Sequence, residues 1–281
     1  MNEKDFGLPP LYDPQSEIAQ QNNLMDAQVI TAQVSVPTAP LHETPDTDSQ
    51  ALTYVLLGEP LYCTETKGSW QKVVSIIDGY SGWIDTAFVN TAPTAPTHRI
   101  IVPLSHIYTL AHLKSQPLNI LPMGAFVTVA GQPENGFMPL LGGGWVFAKH
   151  LYPIGTEAID PLAAAESFIA TPYLWGGRSY MGIDCSGLVQ IALAASGKRI
   201  HRDSGPQFRS LGRPLSKDEA PARGDLAFFP GHVGWMIDGI HLLHANATHM
   251  AVTIDTVADV TSWVAAQTDK PPFSGYKRLS E

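Results

Sequence analysis

The chain has 281 residues with ordinary hydrophobic content (44%), long enough for two or three domains and a sizeable core. No apolar run reaches the roughly 18 residues that a membrane-spanning helix needs. A net charge of −9 argues against nucleic acid as a partner.

Residues 1–30 show no clear period and are rich in Gln, Asn and Asp, so they read as an arm, flexible or packed on a later domain. The opening MNEKDFGLPPLYDPQSEIAQQ is acidic and polar and does not resemble a secretory signal. Cytoplasmic residence is the expectation, with a periplasmic or secreted form as the alternative if a segment has been removed. From 31 to 90 the pattern changes to short strands: VLLGEPLYCTE, WQKVVSII and SGWIDTAFV, divided by turn signals at Lys67-Gly68 and Asp78-Gly79. NTAPTAPT, at 90–97, reads as a stiff linker. A second β-rich block, 91–155, has a similar layout: Gly124 answers Gly58, and Gly144-Trp145-Val146 answers Gly82-Trp83-Ile84. Each block resembles a bacterial SH3-like domain with its Gly-Trp-aliphatic ending, which implies two small all-β barrels. Such barrels serve as scaffolding or bind peptides and glycans through aromatic grooves.

From 156 to 281 the pattern is α+β. In DPLAAAESFIAT, Asp160 is an N-cap and Pro161 sits at N1. The stretch TPYLWGGRSYMGIDCSGLVQIALAAS follows, a Gly-rich loop running into an apolar helix with Asp184 as N-cap and Gly197 at the C-terminal end. Cys185 therefore falls in the first helical turn, where unpaired N–H groups favour a thiolate. The plainer reading is a small buried hydrophobe, so the assignment turns on finding a base. Apolar runs at strand length come next: LAFFP, HVGWMID, HLLHANA and MAVTID. His232 opens the second and His244 lies in the third, joined through an Asp238-Gly239 hairpin. His232 is a candidate base for Cys185 and His244 a candidate orienter, with Asn246 as the alternative third member. The same Cys and two His could be metal ligands, but no tight ligand pair is present. Cys63 and Cys185 are the only cysteines, and a reactive Cys185 leaves no disulfide, which suits a reducing compartment. Between 172 and 223 eight basic residues outnumber four acids, whereas residues 1–60 hold nine acids against Lys4 alone. A positive excess near the nucleophile would suit a substrate bearing carboxylates.

TPYLWGG before DCSGLVQ, RGDLAFF before GHVGWMID, and LLHAN, in that order, resemble the NlpC-type cell-wall peptidases over residues 158–280. The resemblance implies a papain-like fold with a Cys-His-His triad and no cofactor: Cys185 as nucleophile, His232 as base and His244 as orienter. It places Tyr173 near the oxyanion and Trp175 on a pocket wall. Asp184 and Ser186 flank the nucleophile among the substrate-contacting positions, with Asp203 meeting an alanine ammonium and Ser204 the D-glutamate. Paired SH3-like domains resemble the subgroup that cleaves murein stem peptides between γ-D-glutamate and the diamino acid when L-alanine is free, as in peptide recycling. In that subgroup the first SH3-like domain adds an acidic residue and a tyrosine, matched here by Glu43 and Tyr80, with Asp48 and Tyr54 as alternatives. A blocked N-terminus would leave a buried Asp203 carboxylate unmatched. An amidase or acyltransferase on the same scaffold, or a peptide-binding protein with an idle thiol, remains the alternative, and diaminopimelate and lysine fit the third substrate position equally.

Overall fold

The computed structural model describes residues 30–156 and 160–279; the expected N-terminal arm lies, apart from Ile30, outside the described residues. The described residues form two compact units that meet in sequence at Asp160.

In the first unit β1 (Ala32–Val34), β2 (Thr38–His42), β3 (Ala51–Leu56), β4 (Pro60–Lys67), β5 (Trp70–Ser75), β6 (Ser81–Asp85) and β7 (Val89–Asn90) make one curled antiparallel sheet. Its strand order is β3-β2-β6-β5-β4-β1-β7. The two turn signals fall where strands reverse: Gly68 between β4 and β5 and Gly79 between β5 and β6, both at positive φ that glycine adopts without strain. The second block holds β8 (His98–Ile100), β9 (Leu104–Tyr108), β10 (Pro117–Pro122), β11 (Phe126–Val127), β12 (Phe137–Pro139), β13 (Trp145–Phe147) and β14 (Leu151–Pro153). These split into sheets β10-β9-β13-β12 and β11-β8-β14.

The internal repeat is visible in the turns. Gly58 donates its N–H to Val34 O and Gly124 to Ile100 O, both at 2.9 Å and both at positive φ. The expected pair of separate barrels is not confirmed: the first block is a single curled sheet, the second is divided into two sheets, and both share one compact unit. Gly58 is the reason they can close up, since a Cβ there would collide with the Phe126 carbonyl, and Phe126 N–H donates to Leu57 O at 2.9 Å. The linker between them is pinned as well: Gln33 exchanges two side-chain hydrogen bonds with the Thr94 backbone, and Thr128 donates to Ala95 O.

The second unit opens with α1 (Pro161–Glu166), capped by Asp160 with Pro161 at N1. After β15 (Arg178–Ser179) and β16 (Gly182–Ile183) comes α2 (Cys185–Ala195). All of α2 except Ala194 is buried, so it is a central helix wrapped on every side rather than one with a single apolar face. Gly197, at φ +85, closes it as Lys198 N–H reaches back to Leu193 O. Then follow α3 (Ser204–Ser210), β17 (Arg213–Pro214), β18 (Leu226–Phe229), β19 (His232–Met236), β20 (His241–Asn246), β21 (Ala251–Thr256), α4 (Val257–Ala265) and β22 (Gly275–Arg278). The strands form a six-stranded antiparallel sheet, β17-β22-β18-β19-β20-β21, against which α2 packs at β19 and β20. The hairpin at Asp238-Gly239 pairs Trp235 with Leu243, and Asp238 ties it by accepting the N–H groups of Ile240 and His241. Helix α4, between β21 and β22, is an element that the sequence reading does not separate from the strands.

Candidate active site

Asp184 organises the start of α2. One carboxylate oxygen accepts the Gly187 N–H at 2.7 Å and the other the Gly176 N–H at 2.8 Å, joining the helix to the Gly-rich loop. Arg202 grips both oxygens, at 2.9 and 2.6 Å, and donates also to Ser186 Oγ and Gly177 O. The glycines permit this closeness: a Cβ on Gly187 would collide with Gly177 O, and one on Gly177 with the Gly182 carbonyl. Gln207 of α3 adds a further tie, donating to Ser186 O at 3.0 Å and to His201 O at 2.9 Å.

The outcome is that Cys185 stands fixed in the first turn of α2, 8% exposed, with Sγ accepting the backbone N–H of Val233 on β19. His232 precedes Val233. Its Nε2 lies 2.7 Å from His244 Nδ1, so Nδ1 is the ring nitrogen left outside that pair. Gly234 makes room for the pair, since a Cβ there would come within 3.0 Å of His244 Cβ. His244 Nε2 lies 3.1 Å from Asp255 Oδ2. Asn246, the alternative third member, is occupied elsewhere: it donates to Thr253 Oγ1 at 2.8 Å and accepts the His249 N–H at 2.9 Å. His244 is therefore the partner of His232. Tyr173 is held at the rim by its N–H to Met250 O, at 2.9 Å, and by a bridge to Ile183.

Burial decides the resting protonation. It pushes the Cys185 thiol up to about 12, the Asp184 carboxylate adds to this, and the N–H groups of Val233 and Ser186 with Arg202 oppose it. The helix terminus alone does not make this thiol acidic; desolvation outweighs it. Burial likewise takes His232 down to about 3, helped by His244, and holds His244 below its ordinary value against the pull of Asp255. Tyr173 is raised to about 12, first by burial and then by Cys185, so it stays a phenol able to donate. Both groups therefore rest uncharged at neutral pH, Cys185 as a thiol and His232 as an imidazole.

Other expected site residues stand differently. Asp184 and Ser186 are buried, with Asp184 in the ion pair and Ser186 Oγ accepting from Arg202, so both support the position of the nucleophile. Asp203 is exposed at the N-cap of α3 and makes no capping hydrogen bond; it is not the buried carboxylate that strong selection for an ammonium requires. Ser204 begins α3, half-buried. Trp175 is 62% exposed, which rules out a core aromatic. Glu43 is exposed just after β2 and Tyr80 half-buried just before β6, both in the first unit, as are Asp48 and Tyr54. Both cysteines are free. Among the described residues no cluster of His, Cys, Asp and Glu is arranged to hold a metal ion. Two contributors escape the sequence reading, Arg202 and Asp255. The polar alternation Thr253, Asp255 along an otherwise apolar strand is the signal that points to the second.

The sequence pattern of the NlpC/P60 family matches residues 170–267, and that of the bacterial SH3 domain matches 37–90. A gamma-D-glutamyl-L-lysine dipeptidyl-peptidase of Bacillus subtilis is 30% identical over 237 residues, covering 76% of this chain and 78% of that protein. Dipeptidyl-peptidase 6 of Lysinibacillus sphaericus is 26% identical over 78% of this chain and 89% of its own. The crystal structure of an NlpC/P60 family protein from Bacillus cereus shares the fold, with a TM-score of 0.72 at 21% identity over 88% of this chain and 99% of that one.

Proposed function

This chain belongs to the NlpC/P60 family of cysteine peptidases, and from that premise we propose that it hydrolyses the γ-D-glutamyl-diamino acid bond of murein stem peptides whose N-terminal L-alanine is free. The observation that carries the chemistry is the hydrogen-bonded pair His232–His244, with the N–H of Val233, next to His232 in sequence, reaching Cys185 Sγ. The bond is suggested by relatives that align with both units, two of which are named for release of dipeptides.

In this reading His232 Nδ1 takes the thiol proton as Sγ attacks the γ-carbonyl. The oxyanion is met by the Cys185 N–H and the Tyr173 hydroxyl. His232 then gives its proton to the leaving amine of the diamino acid, and a thioester to Cys185 remains. Water, deprotonated by His232, adds to the thioester and releases the γ-carboxylate, with the proton returning to sulfur. Asp203 and Ser204 meet the L-alanine ammonium and the D-glutamate part. Because Asp203 is exposed, its ion pair is weakened by water and the preference for a free amine is modest. Free peptides as substrate fit a cytoplasmic, reducing setting in which both cysteines remain thiols.

Mass spectrometry of L-Ala-γ-D-Glu-diaminopimelate, its lysine counterpart and N-acetylated copies, incubated with wild type and Cys185→Ala, tests this. The expected result is release of L-Ala-D-Glu from the free peptides and none with the variant. Equal cleavage of the acetylated copies removes the amine-recognition part, and no cleavage of any peptide ends the proposal.

A further inference from the structure

We infer that Asp255 is a positioning residue that fixes the tautomers of both histidines, so that the Cys185–His232–His244 line ends on a carboxylate. The inference deepens the peptidase reading and rests on it. It follows from counting donors and acceptors on one face of the hairpin β20–β21. Register sets His244 opposite Thr253 and Asn246 opposite Ala251, and alternation brings Asn246 and Asp255 to the face that carries His244 and Thr253.

The proton order can then be read from one fixed end. Asn246 Oδ1 accepts the backbone N–H of His249, which can only donate, so the Asn246 amide nitrogen is the atom turned to Thr253 Oγ1, at 2.8 Å. Thr253 therefore accepts from Asn246 and sends its own proton to Asp255 Oδ2, at 2.6 Å. The same Oδ2 lies 3.1 Å from His244 Nε2, and a carboxylate beside an imidazole places the proton on that nitrogen. In this order the 3.3 Å approach of Asn246 Nδ2 to His244 Nε2 sets two donors together and adds no bond. His244 Nδ1 is left bare and can only accept, so His232 must carry its proton on Nε2, 2.7 Å away. His232 Nδ1 is then bare, the one form that can take a proton from Cys185. Reverse the first proton and the base is blocked.

The charge matters as well as the direction. When His232 accepts the thiol proton, the imidazolium shares its charge with His244, which is 1% exposed in its side chain and has Asp255 as its anionic neighbour. The ionisable groups acting on the pair are Asp255 from β21 and His249, whose Nε2 is 3.3 Å from Asp255 Oδ1; Cys185 from α2, reached by the N–H of Val233 next to His232, has Tyr173 and the Asp184–Arg202 ion pair about it. Asp255 is the anion that touches the pair itself, so its removal disfavours protonation of the pair. The acidic limb of the kcat/KM profile, which reports that protonation, moves to lower pH while the rate falls.

The test uses the full chain, as wild type, Asp255→Asn and Asp255→Ala. Long-range proton–nitrogen NMR of the imidazoles is expected to show His232 and His244 both as Nε2–H in the wild type, with His244 shifting toward Nδ1–H in the variants. In peptide cleavage, kcat is expected to fall by about 10- to 100-fold with KM little changed and the acidic limb displaced downward. A wild-type His244 protonated on Nδ1 overturns the inference without any variant, as do variants whose tautomers and acidic limb are those of wild type. A wild type that cleaves no peptide ends the peptidase reading, and the tautomers then decide the role of Asp255 independently.

Discussion

Burial sets Cys185 and His232 in the wrong sense for a resting ion pair, pushing the thiol up to about 12 and the imidazole down to about 3. The thiolate therefore forms as the proton moves, not before. With Cys63 replaced by Ser to remove the other free thiol, alkylation of Cys185 by iodoacetamide is expected to rise about tenfold per pH unit from 7 to 10. Intact-mass rates read this directly, and a plateau below pH 9 would show a thiol already ionised. The places of Cys185, His232 and His244 in the fold were legible in sequence because local pattern fixes them: a capped helix start and two strands joined by a short turn. Their protonation was not. The helix-terminus argument counts one local contribution, whereas the dominant one, loss of water around Sγ, arises from β19 packing on α2 some fifty residues along the chain.

At the level of elements, the nucleophile is held by joining three pieces of chain through one ion pair. Arg202, from the segment leading to α3, binds Asp184 at the start of α2 and Gly177 in the Gly-rich loop, with side-chain exposures of 2% and 10% for the pair. Removing the cation while keeping the carboxylate leaves a buried charge unmatched. Arg202→Met is expected to lower stability by about 3–5 kcal/mol, read as a lower denaturation midpoint in urea, and to reduce activity even where the protein remains folded. Stability within about 1 kcal/mol of wild type would show that Asp184 is held sufficiently by the Gly176 and Gly187 amides. Asp184 as a cap, Gly197 as a terminator and the Asp238-Gly239 turn were all readable, because each acts within a few residues of itself. Arg202 and Asp255 were not, since an arginine in a basic stretch and an aspartate at a strand end acquire meaning only from partners brought by the fold. The same distance hid the union of the β blocks: Gly58 reads as a turn glycine, and its closeness to Phe126 depends on packing.

Across the whole molecule, the excess of basic residues between 172 and 223 suggested a positive field drawing in a carboxylate-rich substrate. The fold offsets part of it by pairing. Arg178, Arg199 and Arg202 are buried, Arg202 against Asp184. Arg213 is paired with Glu219 at 2.6 Å and Arg223 with Glu166 at 2.7 Å. Arg209 and Lys217 are exposed, as is Asp218, in a chain whose total charge is −9. Steering at long range needs an unbalanced field extending beyond a Debye length, about 10 Å at 0.1 M salt. A short peptide carrying both an ammonium and carboxylates would feel little net pull from so balanced a surface. The expectation is that kcat/KM for the free tripeptide changes by less than about threefold between 0.05 and 0.5 M sodium chloride, in initial-rate assays at constant pH. A fall of tenfold or more would mean that the exposed cations act together on the approaching substrate, and recognition would then lie in the field of the surface more than in short-range contacts around Cys185.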